Sequence, residues 1–263
     1  MTFEDITVKV EDGIGILSFN RPHRSNAVSQ QTLAEVCEGL DHLANDKSVK
    51  AIILRGEGKH FCAGADFSML DQITRMSALE IKNHVYTYFQ GAAKRIYNCT
   101  KPTLAVVSGF AVTVGCELAL ACDFRIVSKN AAFKESWINL GVLPPLGGMF
   151  LLPRIIGLGR AKQMVLKGET ITAEIAVEIG LASEVVSEDK LEARGKELAL
   201  ELSCMPPLAY TAAKQALHRG LETTMEAEWS TNVLNQALLL SSNDFREGFK
   251  AVTEKRQPEF QGS

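Results

Sequence analysis

Residues 3–10, FEDITVKV, and 14–20, IGILSFN, carry apolar side chains in strand-like alternation, with Glu11-Asp12-Gly13 as the turn between them. At 29–45, SQQTLAEVCEGLDHLAN, the apolar spacing becomes helical, and Ser29 is placed to cap that helix. AIILRG (51–56) and TLAVVSG (103–109) are unbroken apolar runs that read as strands buried on both faces. Between them lie a small-residue loop, EGKHFCAGAD, whose Asp66 can cap a following helix, and a periodic helical stretch at 77–98. A short apolar helix over 115–122 and a strand, DFRIVS (123–128), come next.

Strands alternating with helices imply crossover connections and an α/β architecture. The order changes past residue 145. Short helices with glycine breaks occupy 147–180, then a strand-like ASEVVS, and 188–253 is almost wholly helical. The chain therefore divides into an α/β core, 1–199, and a helical C-terminal region, 200–263. The apolar content of that tail fits docking on a neighbouring subunit, or equally on its own core.

The chain of 263 residues is 46% apolar with net charge −3, which fits a soluble globular protein and supplies no basic stripe for nucleic acid. No apolar run approaches the roughly 18 residues of a membrane span. The acidic N-terminus has neither signal-peptide nor transit-peptide character. The six cysteines form no C-x-x-C and no zinc-ligand spacing, so no metal site is expected and a reducing, cytoplasmic setting is.

Four segments could carry chemistry. In GFAVTVGCELALACDFRIV (109–127), Glu117 lies in the first turn of an apolar helix, where burial would raise its pKa into the range useful for proton transfer. The plain alternative is a carboxylate capping its own helix. Val114 would place a backbone N–H at the same helix start, where the dipole favours negative charge. HFCAGADF (60–67) offers a second set of free N–H groups, or an ordinary tight loop. Trp137, in FKESWINLGVLPPLGG, suggests a pocket wall or simple core packing. Arg21, His23 and Arg24, in FNRPHRSNAVS, could meet phosphates or only solvent. No G-x-S-x-G elbow, phosphate loop or dinucleotide fingerprint is present.

Read together, NRPHRSNAVS, FCAGADF, KPTLAVVSGFAVTVGCELALACDFRI, LGVLPPLGG, LPRIIGLGRAKQMVLKGE and EGFKAVTEKRQPEF resemble the enoyl-CoA hydratase/isomerase (crotonase) superfamily over essentially the whole chain. The resemblance implies a spiral of ββα units and a helical C-terminal region that trimerises, commonly into a dimer of trimers. It implies an acyl-CoA thioester substrate, with coenzyme A as part of that substrate and no permanently bound cofactor. Two backbone N–H groups would polarise the thioester carbonyl. The matching positions are Ala65 and Val114, with Glu117 as general acid/base. Arg24, Ala63, Asp66 and Phe67 match substrate- and CoA-contacting positions, and Lys255 matches a contact to the nucleotide end of CoA.

Two departures shape the expectation. The hydratases usually carry G-G-G-C-E, whereas this chain has T-V-G-C-E. Hydratases with two carboxylates have a second Glu where this chain has Trp137. Glu135 would point away from the pocket if its segment is helical, and would share the face of Trp137 if it is extended. Trp at this position also resembles a branch that dehalogenates aromatic acyl-CoA thioesters, but Pro145 stands where that chemistry needs an Asp. A Trp wall suits a bulky, cyclic or aromatic acyl group. The expected activity is hydration of a 2-enoyl-CoA. Double-bond isomerisation, thioester hydrolysis or C–C cleavage, and binding of acyl-CoA without turnover are the alternatives.

Overall fold

The computed structural model describes residues 2–263. The opening hairpin is β1, Ile6–Glu11, and β2, Ile14–Phe19, in antiparallel register. Helix α1, Gln30–Asn45, begins at Ser29, whose hydroxyl accepts from the Thr32 N–H while the Thr32 hydroxyl accepts in return from the Ser29 N–H. Strand β3, Ala51–Gly56, follows, then α2, Phe67–Ile73, and the single turn α3, Ala78–Glu80. A π turn over Ile81–Val85 joins α3 to α4, Tyr86–Tyr97. The chain continues through β4, Thr103–Val107, β5, Phe110–Val112, α5, Val114–Ala121, β6, Phe124–Ser128, and β7, Ala132–Lys134. After a 3-10 turn at Ser136–Leu140 come α6, Gly148–Lys167, β8, Thr170–Thr172, α7, Ala173–Glu178, and β9, Glu184–Val186. Four helices close the chain: α8, Glu188–Ser203, α9, Pro207–Gly220, α10, Met225–Leu240, and α11, Asn243–Glu254.

Six strands form one sheet in the order β1-β2-β3-β4-β6-β9, parallel beyond the first pair. Three short strands, β5-β7-β8, form a second sheet. A lone bridge from Cys62 to Ala111 extends this second sheet toward the β3–α2 loop. The middle turns of chain, β4-β5-α5 and β6-β7 before α6, each give one strand to each sheet and then a helix, which is the spiral of ββα units that the sequence motifs implied.

Both faces of the large sheet are covered, which explains the unbroken apolar runs. On β3, Ile52 and Leu54 point into the main core with α1 and α4, while Ala51 and Ile53 join Leu191 and Ala199 of α8 on the opposite face. The glycine breaks expected past residue 145 are present: α6 is interrupted at Gly157, whose φ is +77°.

Helix α9 is tied to the core through Asp123. Its carboxylate accepts from Thr103 N–H at 2.9 Å, Tyr210 O–H at 3.0 Å and Lys214 Nζ at 2.9 Å. Beyond α9 the tail keeps a broad apolar surface: Trp229, Val233, Leu234, Leu238, Phe249 and Val252 are each at least 61% exposed. Among the described residues, no helix is long and apolar enough to cross a membrane.

Candidate active site

The site forms where the loop before α2 meets the start of α5. Val112 N–H donates to Cys62 O at 2.9 Å, and Thr113 N–H donates to Lys134 O at 2.8 Å. Two glycines permit the approach. A Cβ on Gly64 would lie 2.3 Å from Thr113 Oγ1, and one on Gly115 would lie 2.5 Å from Cys62 O. The Ala65 N–H from one loop and the Val114 N–H from the other have no acceptor among the described residues. Val114 is the first residue of α5, so its free donor adds to the positive end of that helix.

Thr113, just before it, has φ +48° and ψ −108°. A β-branched residue rarely adopts positive φ. It is held there by its bond to Lys134 and by packing of its hydroxyl against Gly64.

Glu117 lies one turn into α5 and is 1% exposed. Its Oε2 accepts from Leu146 N–H at 2.7 Å and Gly148 N–H at 2.8 Å. The proline- and glycine-rich loop before α6 therefore exists, in part, to cradle this carboxylate. Its Oε1 has no partner. Burial pushes the Glu117 carboxyl up to about 7, against the opposing pull of the Gly148 and Leu146 amides and the Trp137 indole. That places it where one group can both take and return a proton near neutral pH. A Cβ on Gly148 would stand 3.0 Å from Glu117 Oε2. Gly148→Ala should therefore displace the carboxylate by tenths of an ångström and lower kcat. The loss should stay short of the ~10²-fold that a 1 Å misplacement can cost, as steady-state kinetics would show.

Trp137 is the second residue of the 3-10 turn, and Glu135 precedes that turn with φ −106° and ψ 73°. Glu135 is thus in neither of the regular geometries considered from sequence. Its carboxyl is fully buried beside the Cys116 thiol and the Trp137 indole, close enough to Glu117 to feel its charge. Burial first, and the Glu117 charge second, hold the Glu135 carboxyl well above the usual range. Burial, and after it the Glu117 charge, push up the phenol of Tyr86 at the start of α4.

The other sequence-derived positions are spread more widely. Asp66 caps α2 through Ser68 N–H at 3.0 Å and pairs with Arg21 at 3.1 Å, so its side chain is committed to the loop. Ala63 lies in that loop, where its N–H donates to Ser25 O at 3.1 Å. Phe67 is 84% exposed at the first position of α2, and Arg24 is exposed on the short turn Pro22–Arg24. Lys255 is the left-handed C-cap of α11, in the tail. A cleft of about 290 Å³, lined by Gln90, Ala93, Tyr97, Leu146, Phe150 and Leu151, borders the loop that holds Glu117. Another groove, about 510 Å³ and more apolar, lies in the tail between α9 and α11, not at the carboxylates. Sequence reasoning missed Tyr86 and the Leu146 and Gly148 amides. The paired Gly147-Gly148 was the available signal for the amides, whereas Tyr86 sits in a helix with nothing to mark it.

The chain matches the family model described as enoyl-CoA hydratase/isomerase over residues 9–263. It is 34% identical to the crotonyl-CoA hydratase of Syntrophomonas wolfei, covering 99% of both chains. It is 32% identical to the 1,2-epoxyphenylacetyl-CoA isomerase of Escherichia coli, covering 98% of this chain and 99% of that one. The crystal structure of an enoyl-CoA hydratase from Bacillus anthracis superposes with a TM-score of 0.92 at 30% identity, over 99% of this chain and 100% of that chain.

Proposed function

This chain belongs to the enoyl-CoA hydratase/isomerase family, and on that premise we propose that it adds water to, or removes it from, a 2-enoyl-CoA thioester at the site built around Glu117. The Ala65 and Val114 N–H groups receive the thioester oxygen. Glu117 takes a proton from water as the O–Cβ bond forms, and the C=C electron pair moves onto the thioester oxygen. The resulting enolate is held by the two N–H donors and the start of α5. It is quenched when Cα takes a proton, returned by Glu117 or drawn from solvent. The observation that carries this reading is a buried carboxylate held by two amides in the first turn of α5, the helix whose opening residue Val114 has a free N–H.

The test is a panel of linear, cyclic and aromatic 2-enoyl-CoA thioesters, followed by loss of enoyl absorbance and by product mass. A product heavier by one water supports the reading, and the buried Trp137 predicts turnover of the bulky members. Failure of every member to react would overturn it. Isomerisation is the second reading, favoured by Trp137 in place of a second Glu, since one base can carry one proton between two carbons. A 3-enoyl-CoA converted to its conjugated isomer with no change in mass would establish it.

The exposed apolar faces of α10 and α11 support assembly of this chain as a homotrimer, or a homohexamer made of two trimers. Lys255 lies on the tail that such an assembly would bring against a neighbour, consistent with a contact to the nucleotide end of CoA. Arg24, Ala63 and Phe67 are proposed on the CoA side of the site. Six unpaired cysteines, five of them buried, fit a reducing compartment such as the cytoplasm. Light scattering should return three or six times the 28.7 kDa chain mass, and a monomer at micromolar concentration would refute the assembly.

A further inference from the structure

From residue 143 to 146, the loop that cradles Glu117 makes two hydrogen bonds among the described residues. Gln90 Nε2, on α4, donates to Pro145 O at 3.1 Å. Leu146 N–H donates to Glu117 Oε2 at 2.7 Å. Both bonds belong to the single peptide unit that joins Pro145 to Leu146. In a planar trans peptide the C=O and the N–H point in opposite directions. This plane is therefore gripped from both sides, by Gln90 on one and by Glu117 on the other.

The loop has no other means of holding it. Pro144 and Pro145 carry no N–H, and among the described residues no backbone N–H donates to Pro145 O. The orientation of the Gln90 amide is fixed at both ends. Pro145 O can only accept, so it faces the amide nitrogen. Lys94 Nζ, one turn further along α4, can only donate, and it lies 3.4 Å from Gln90 Oε1. Lys94 thus donates to Gln90, Gln90 to the peptide, and the peptide to Glu117. A donor placed on an amide oxygen strengthens the donation by its N–H, because bonds in a chain polarise one another. Running from a cation to a carboxylate, every link here polarises in the same sense.

We propose that Gln90 is a positioning residue for the general base, holding and polarising the Pro145–Leu146 peptide so that its N–H stays on Glu117 Oε2. The catalytic consequence rests on the hydratase reading, whereas the grip on the peptide does not. Without Gln90 the Leu146 N–H donates less to the carboxylate, the anion is less favoured, and Glu117 keeps its proton to a higher pH. The titratable groups that sense the Glu117 charge are Glu135, the Cys116 thiol and the Tyr86 phenol. Lys94 and Glu222 share with Gln90 the cleft beside the loop, and on α6 Arg154 is spent on Phe150 O. Substitution at position 90 leaves all of them in place.

Hydrogen exchange of the substrate-free protein tests the grip. Gln90→Met keeps the reach of the side chain and loses the donor. The segment 143–150, which contains the Leu146 and Gly148 amides, should then exchange several-fold faster than in wild type. Gln90→Lys supplies an N–H donor of similar reach and should restore slow exchange. Kinetics supply the second arm. Gln90→Met should raise the acid limb of the kcat/KM profile by about half a pH unit, a ~3-fold loss below it, and Gln90→Lys should bring the limb back to the wild-type position or lower. Unchanged exchange in Gln90→Met, or a limb that stays where it was, overturns the proposal. Equal damage in the two variants also overturns it, because the effect would then follow the shape of glutamine and not its donor. If no 2-enoyl-CoA is turned over, the hydratase reading falls while the exchange rates still decide whether Gln90 holds the peptide.

Discussion

Glu117→Gln should lower kcat for hydration of a 2-enoyl-CoA by about 10²–10⁴-fold, the range general acid–base catalysis commonly supplies, with little change in KM. Gln keeps the size of the side chain and an oxygen to accept from Leu146 and Gly148, so the loop before α6 should stay in place. What disappears is the group that exchanges a proton. The wild-type pH profile carries the same signature: kcat/KM should fall below an apparent pKa near 7, the value to which burial brings Glu117. An ordinary glutamate would place that limb near 4.5.

The sign of the stability effect is opposite. A carboxyl whose pKa is raised by folding binds more protons in the native state than in the unfolded one. Its contribution is fully present below the unfolded pKa and is lost as pH rises through the folded pKa. Glu117 should therefore weaken the fold between about pH 4.5 and 7, and Glu117→Gln should be the more stable protein above neutrality. Full turnover by the variant would remove Glu117 from the mechanism. A variant less stable than wild type at pH 8, read by denaturant unfolding, would refute the burial argument.

Asp123→Ala should be the most destabilising of the substitutions considered, by about 3–5 kcal/mol, because it leaves Lys214 buried with no counter-charge. It also strips Thr103 and Tyr210 of their acceptor, so β4, β6 and α9 lose their common joint. The melting temperature should drop by roughly 10 °C. Asp71→Ala is the control. It breaks the solvated pair between Asp71 on α2 and Arg75 just past that helix, and should change stability by less than about 1 kcal/mol. Comparable losses in the two variants would mean that the Asp123 network is not what ties α9 down.

The long elements were readable from the sequence because their periods were long enough to be seen. Residues 29–45 gave α1 with its cap, and AIILRG and TLAVVSG gave the buried strands β3 and β4. The second sheet was not readable. Its strands β5, β7 and β8 are three residues each, too short for any period to emerge. They are nonetheless the elements that set Glu135 beside α5. The same limit applied to the site. Glu117 stood out as an acidic residue among apolar neighbours, but its two amide partners lie 29 and 31 residues away. Glu135 could be assigned to either face of its segment, because the backbone there follows neither helix nor strand.

Thr113 occupies a backbone region that costs of order 1–3 kcal/mol, and its neighbours enforce that conformation in the folded chain. The peptide plane joining it to Val114 is therefore locked before any substrate arrives. On the proposed reading, that amide already points where the enolate oxygen will form, and no reorganisation of the dipole is needed during the chemical step. The strain is met once, when the protein folds, rather than at each turnover. Thr113→Gly would release it, and the resulting protein would trade a stiff oxyanion donor for a looser one.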